Sequence, residues 1–443
     1  MALHLKASRA RINRHWHVLC SEIGERYAGT RGEQDAADYI EGQMRRLGLA
    51  GTHQQPFEFP NWSYSQCALR VGKRRPTRRI EARPNAYSSA TPDRGVSGPL
   101  INLQGGHKWD LAQPMKGKIG VLVGSLLLGD PDVRNQLVRS GIKALLAVDA
   151  RIPFEWITSN GNCPAWMNGY HVPTVGIAYM DAIRLLKQMP ARAHLKVKAR
   201  SFPAMSQNVI GEIPGSRHPD QVIVVSAHHD AVWGNVGADD NASGVVFLLE
   251  MARLFARRRP KRTIRFISYG VEERLSVGAY LYAQSLTPAE RRRIVFGINA
   301  DSIATTIGSD MVGVTGTPQL ARFVERIWNA RRHAVHIERM VTPYSDHFPL
   351  NAIGVPTVWM TRPSIGTGSY WQLHSVHDNL ENVSAAPLSR TIETNAILLD
   401  QVANATRLPF PRRLSPEVAR EARRLHKSEY GHPWSPDSFD YDR

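Results

Sequence analysis

Residues 221–270 read QVIVVSAHHDAVWGNVGADDNASGVVFLLEMARLFARRRPKRTIRFISYG. The apolar run Val222–Ser226 is too short for a helix and predicts a buried strand. Ala242–Ala256 is long enough for a helix of about four turns, and Thr263–Ser268 returns to a strand pattern. Strand, helix, strand is the unit of an α/β layered sheet. Downstream the alternation continues, with helix Val277–Gln284, strand Val295–Asn299, helix Pro318–Ala330, strand Val355–Met360 and helix Leu388–Ala405. Upstream, residues 8–48 read as helical, because Ala36, Ala37, Tyr39, Ile40, Met44 and Leu47 recur at three- and four-residue spacing until Gly48.

Between these parts the pattern changes. Gly72–Gly98 is rich in Arg, Pro, Ser and Thr and predicts a connection into a new unit. Within residues 95–200, Ile119–Val123, Lys143–Asp149 and Pro173–Ile177 read as strands. Asp132–Ser140 and Met180–Gln188 read as helices, and Leu195–Ala199 alternates like an edge strand. This β-rich unit carries no constellation of His, Asp and Glu. The expected division is 1–94, 95–200, 201–406 and a tail 407–443 that wraps the surface or is mobile.

Composition narrows the classes. A chain of 443 residues with 42% hydrophobic and 21% charged residues builds a normal core, which excludes a disordered or collagen-like protein. No run of eighteen apolar residues is present, so no membrane partner is expected. The N-terminal MALHLKASRARINRHWHVLC lacks a continuous apolar block, and Cys20, Cys67 and Cys163 are odd in number and far apart. Together these predict a cytoplasmic protein without a disulfide scaffold. The formal charge of +17 comes from 56 Lys and Arg against 39 acids in short, scattered clusters without interleaved aromatics. That pattern reads as a solvated basic surface, with no nucleic-acid partner expected.

Chemistry-bearing residues arrive at the strand ends. His228-His-Asp230 follows the first strand, and Gly237-Ala-Asp-Asp-Asn-Ala-Ser-Gly244 opens the long helix. Glu272-Glu273, Asp301 and His374 of His374-Ser-Val-His-Asp378 complete five such places. Open α/β sheets form their sites at the carboxyl ends of strands. Imidazole and carboxylate are ligands for zinc and related divalent ions. His228, Asp239, Glu273, Asp301 and His374 supply the number that a two-metal site needs, with one shared acid. Glu272 is then left over as a carboxylate beside metal-activated water.

These motifs resemble the zinc-dependent exopeptidases of the M28 type over most of the chain. SAHHD at 226–230, GADDNASG at 237–244, VEERLSVGAY at 271–280, NAD at 299–301, SDHFPL at 345–350 and HSVHD at 374–378 carry the resemblance, with YAGTRG at 27–32. It implies a layered mixed sheet with helices on both faces, and it makes the middle unit an inserted protease-associated domain. It also implies two zinc ions per chain. His228, Asp239 and Asp301 would hold one ion, and Asp239 would bridge to the second, completed by Glu273 and His374. Glu272 would be the general base of an aminopeptidase acting on short peptides, and Asp230 would orient the His228 imidazole. The family's cis peptide would fall at Asp239-Asp240. His229 and His377 are read as neighbours without a ligand role. Tyr344 is a candidate donor to the oxyanion, although its position does not match the family tyrosine.

Two other readings stand beside this one. GSYWQLHSVHD resembles the glutamate-carboxypeptidase branch, but Leu373 stands where that branch has a tyrosine, and Arg362 is a lone candidate for binding a substrate carboxylate. A di-zinc carboxypeptidase or dipeptidase is therefore the alternative enzyme. A receptor-like homologue with lost ligands is the non-catalytic alternative, against which all five ligand types persist.

Overall fold

In a computed structural model, residues 5–124, 131–149, 154–158, 172–364 and 370–430 are described. Cys163 and the last part of the tail, 431–443, lie outside them. The chain divides into two compact units, one formed by Met1–Phe57 and Met205–Pro433, the other by Glu58–Ala204. The expected boundaries at 94/95 and 200/201 thus move to 57/58 and 204/205. The reason is that both crossings lie inside long strands, Ala50–Gly72 and Arg192–Ile213, rather than in loops.

The first unit is built on a mixed sheet. Strand Thr357–Thr361 lies parallel to Ile294–Ala300, that strand parallel to His218–His228, and that one parallel to Arg262–Tyr269. Arg192–Ile213 closes one side antiparallel to Arg262–Tyr269. Asp310–Thr315 runs antiparallel to Thr357–Thr361 on the other side, followed by Val335–Arg339. The sequence pattern missed these last two strands.

Side-chain alternation in the central strand assigns the two faces. Ile223 and Val225 pack into a large core with helices Arg9–His17, Arg31–Arg46, Ala242–Phe255, Pro318–Ala330 and Ala385–Asn404. Val222 and Val224 pack the other way, against Ala279 and Tyr282 of helix Val277–Ser285 and against Leu350. Helices therefore cover both faces, and a strand buried on both sides has to be apolar at successive positions. Four parallel strands end at the same edge, and His228, the Glu pair and Asp301 all sit at that edge.

Of the expected tail 407–443, residues 407–430 are described. Phe410, Leu414 and Ala422 are buried, and Pro416–Glu429 is a helix capped by Ser415. The second unit holds three parallel pairings among strands Val96–Asn102, Ile119–Val123, Ala144–Val148 and Thr174–Gly176, with helices Pro131–Arg139 and Tyr179–Lys187. The predicted edge strand 195–199 is the first part of Arg192–Ile213 and pairs with Val96–Asn102. Among the described residues no helix is long and apolar enough to cross a membrane.

Candidate metal centre

The loop between the strand His218–His228 and the helix Ala242–Phe255 is folded by short contacts. Gly237 has φ +52°, and a Cβ there would lie 2.1 Å from the Asp240 carbonyl oxygen, so only glycine fits. Asn241 caps the helix, accepting from Gly244 N at 2.8 Å and donating to Ala300 O at 2.9 Å, which ties the helix start to the end of the neighbouring strand. Gly244 lets this happen, since a Cβ on it would meet Ala300 O at 2.4 Å. The Asp378 carboxylate accepts from the N–H of Asp239 at 2.6 Å and of Asp240 at 3.0 Å. Arg26 donates to five carbonyls around the loop, those of His229, Leu19, Gly24, Val236 and Gly237.

Two groups of donors emerge, His228–Asp240–Asp301 and Asp240–Glu273–His374, all buried. Asp240 is common to both. Its Oδ1 lies 3.2 Å from His228 Nε2 and its Oδ2 3.2 Å from His374 Nε2. His228 Nε2 is 3.5 Å from Asp301 Oδ1, and His374 Nε2 is 3.1 Å from Glu273 Oε2. Glu272 stands beside the first group, its Oε2 3.9 Å from His228 Nε2.

The sequence reading of Asp239 as the shared acid is corrected here. The Asp239 carboxylate is turned away, accepting from Ala304 N at 2.7 Å and Gln372 Nε2 at 2.9 Å. Burial, with the charges of Asp240 and Asp301, pushes its carboxyl up to about 7. Burial acts the same way on Asp240, but the imidazoles of His228 and His374 beside it overcome it and hold that carboxyl below the usual range. The cis peptide likewise falls at Asp240-Asn241, not at Asp239-Asp240.

Asp230 also differs in part. Its carboxylate is 3.5 Å from His228 Nδ1, while its shorter bonds are to the N–H of Glu272 at 2.9 Å and of Glu273 at 3.2 Å. It therefore anchors the Glu pair at least as much as it orients the imidazole. Asp301 is fixed by a hydroxyl relay, Ser226 to Asn299 to Ser345 to Asp301, with each link between 2.7 and 2.9 Å. His229 is buried and bonds Ser268 Oγ at 3.0 Å through Nδ1, and burial lowers its pKa to about 4. His377 stays outside both groups, its ring 6.0 Å from that of Trp371.

Tyr344, the candidate oxyanion donor, is 50% exposed. A different phenol, the half-buried Tyr370, bonds the Thr361 hydroxyl and feels the charges of Asp301, Asp239 and Asp240. Four residues before His374, it carried no sequence signal. Asp346 was missed as well. It is fully buried, and neither carboxylate oxygen has a hydrogen-bond partner among the described residues. Burial together with the charges of Asp301 and Asp230 raises its carboxyl well above the usual range, although His228 opposes them.

The donor set fits divalent cations. Four carboxylates, those of Asp240, Asp301, Glu272 and Glu273, crowd two imidazoles in a buried space, so even two imidazolium charges leave a negative surplus. Buried charge without a counter-charge is strongly disfavoured. His228 Nε2 and Glu273 Oε1 also lack a hydrogen-bond partner among the described residues. Cations resolve both problems.

Residues 208–399 match Peptidase family M28, and this stretch contains every residue of the two groups. The matched part of the chain is similar to peptidases of the M28 type. It is 28% identical to Aminopeptidase YwaD of Bacillus subtilis over 84% of this chain and 80% of that protein. Carboxypeptidase Q of Bos taurus is 25% identical over 60% of this chain and 59% of that protein. In fold the chain is similar to BSAP, a zinc aminopeptidase from Bacillus subtilis, with TM-score 0.75, 23% identity and coverage of 94% of this chain and 100% of that one.

Proposed function

We propose that this chain is a two-metal aminopeptidase of the M28 type that hydrolyses short peptides, with Glu272 as general base. The observation that carries the reading is Asp240, whose two oxygens face two different imidazoles and so fit one ion on each side. His228, Asp240 and Asp301 would hold the first ion, and Asp240, Glu273 and His374 the second. Zinc ions there supply Lewis acidity, acidifying water and polarising a carbonyl.

The remaining steps belong to the chain. Glu272 takes the proton of the attacking water and delivers it to the leaving amine. Its position suits that role. Burial pushes its carboxyl well above the usual range; His228 opposes this, while Asp346, Asp301 and Glu273 add to it. Burial also keeps the Tyr370 phenol protonated, which suits it to donate to the carbonyl oxygen as negative charge develops there. The middle unit, Glu58–Ala204, would be the inserted protease-associated domain.

The carboxypeptidase reading has the likeness to carboxypeptidase Q in its favour. It needs a cation for the substrate carboxylate, and Arg362 is already committed, donating to Asp310 Oδ1 at 2.6 Å and Thr305 O at 2.9 Å. Metal analysis paired with dipeptides free or blocked at either end tests the proposal. Cleavage that requires a free amine and tolerates a C-terminal amide supports it. The opposite preference, or protein purified without chelator that holds no metal, overturns it.

A further inference from the structure

Two basic runs that lie apart in sequence, Arg257–Arg259 and Arg291–Arg293, are brought together at one end of the sheet. The turn that leads into the strand His218–His228 joins them. Ser216 N donates to Pro260 O at 2.8 Å and His218 N to Lys261 O at 2.7 Å, which sets Arg217 beside the first run. Arg293 donates to Pro219 O at 3.2 Å, which sets the second run against the same turn. Lys261 N donates to Asn404 Oδ1 at 3.2 Å and Arg262 to Ala405 O at 2.7 Å, so the end of the helix Ala385–Asn404, with Arg407 just beyond it, adjoins as well.

The four segments 214–219, 256–262, 291–293 and 404–407 hold ten Arg and Lys and no Asp or Glu, and of the ten only Arg262 is buried. Flanking acids do little to balance them. Glu212 pairs with Arg265 at 2.6 Å, the Glu290 carboxylate accepts from Thr287 N and Oγ1, and Asp220 remains. Arg217, Arg257, Arg259, Arg292 and Arg407 are exposed, and among the described residues none of them has a side-chain hydrogen bond or an ion pair. Helix C-termini attract cations, and one at each of the ends Phe255, Arg293 and Asn404 would satisfy that. Two runs of three, held side by side, repel each other and go beyond it.

The patch is also remote from the metal centre. The parallel strands begin here, with Arg262 opposite His218, and finish with Tyr269 opposite His228. Val222 to His228 spans roughly 20 Å, more than two screening lengths at physiological salt, so these charges do not tune the donor groups.

We propose that this basic end docks on an anionic phospholipid surface, with the donor groups at the far ends of the strands turned away from the lipid. Its cations come from separate loops and helix ends rather than from a helix or ribbon that could enter the groove of a duplex. The four segments carry no Phe, Tyr or Trp to stack on the bases of a single strand. Fluid headgroups move to cations wherever the fold sets them, and a guanidinium grips phosphate through two parallel hydrogen bonds. A protein that lies on a bilayer needs no apolar span, so the lack of one excludes crossing only. The inference stands whether or not the chain cleaves peptides.

The test is co-sedimentation of the full-length protein with vesicles of phosphatidylcholine, alone or with about 30% phosphatidylglycerol. Binding should require the anionic lipid and fall by about tenfold or more between about 0.1 and 0.5 M salt. Each Arg at the surface contributes roughly fivefold to the partition, so Arg257→Gln/Arg259→Gln/Arg292→Gln should weaken it by about a hundredfold at unchanged Tm. The same loss of charge in the other compact unit, Lys73→Gln/Arg74→Gln/Arg75→Gln, should change it by less than about threefold. Absence of binding to anionic vesicles, equal binding to neutral ones, or equal losses in the two variants would overturn the proposal. Tighter binding to a short DNA duplex than to vesicles at equal phosphate concentration, lost in the first variant, would assign the surface to nucleic acid and overturn it too. If the first variant does not fold, the lipid requirement and salt dependence of the parent protein decide.

Discussion

Replacing Asp240 by Asn should empty both ion sites at once, and replacing Asp239 by Asn should empty neither. The two residues are neighbours in sequence and both are buried acids, so the contrast isolates geometry. Asp240 places one oxygen 3.2 Å from His228 Nε2 and the other 3.2 Å from His374 Nε2. Its single charge therefore serves two positions. At an effective dielectric of about 20, unit charges about 4 Å apart attract by about 4 kcal/mol. Losing one negative charge beside each of two ions should thus weaken each site by at least about 4 kcal/mol, or roughly a thousandfold in affinity. Asp239 instead accepts from Ala304 N and Gln372 Nε2 and supports the loop from outside the donor groups. An asparagine oxygen can still accept from Ala304 N, and loss of such a supporting group costs about 10- to 100-fold in affinity. Competitive titration with a metal-sensitive chelator, alongside elemental analysis, reads both variants. If Asp239→Asn lost both ions and Asp240→Asn kept them, the shared acid would be misplaced by one residue and the two-group description would fail.

Glu272→Ala should keep both ions while turnover falls by about a hundred- to ten-thousandfold, whereas Glu273→Ala should lose one ion and regain part of its activity in excess zinc; metal content and kinetics on the two variants decide it. His347 is buried, stacked on Trp359 at 5.5 Å, and burial lowers its pKa from 6.5 to about 3, so it stays neutral in the fold and takes a proton when unfolded. Between pH 6.5 and 3 the unfolded chain binds the extra proton. Stability therefore rises with pH across that window and is lost as pH falls, by up to about 1.4 kcal/mol per pH unit from this group, and His347→Phe should flatten the slope in urea unfolding of the chelated protein between pH 5 and 6 by that amount. Arg26→Met leaves five buried or part-buried carbonyls without their donor and should destabilise by more than about 3 kcal/mol, seen as a lower urea midpoint, with activity lost in step.

The sequence disclosed what depends on local pattern. Buried parallel strands are apolar on both faces, so the Val222–Ser226 run and its counterparts were legible, and helix Pro318–Ala330 was placed to the residue. The acids and imidazoles at the strand ends were legible because the parallel strands finish at one edge. The choice between Asp239 and Asp240 was not. It is made by Ala304 and Gln372 taking one carboxylate and by Asp378 gripping both N–H groups, contacts 65 to 139 residues away in sequence. The boundary at 57/58 was hidden because the chain crosses between units inside a strand rather than at a loop. Tyr370 and Asp346 matter through what surrounds them, and a sequence does not display surroundings. Helix Pro416–Glu429 did carry a signal, Ser415-Pro-Glu417 as cap, first turn and acid, which the proline-rich composition of the segment obscured.

The grip of Asp378 on the Asp239 and Asp240 N–H groups has a consequence in time. Chains emerge from the ribosome N-terminus first and fold as they emerge. The loop that carries Asp240 is made early, yet the carboxylate that holds its backbone in place, and the His374 that completes the second group, follow about 140 residues later. A nascent chain therefore has most of its strands before it has a cleft able to hold ions. On the two-metal reading proposed above, the chain would gain peptidase activity only after residue 378 has left the ribosome.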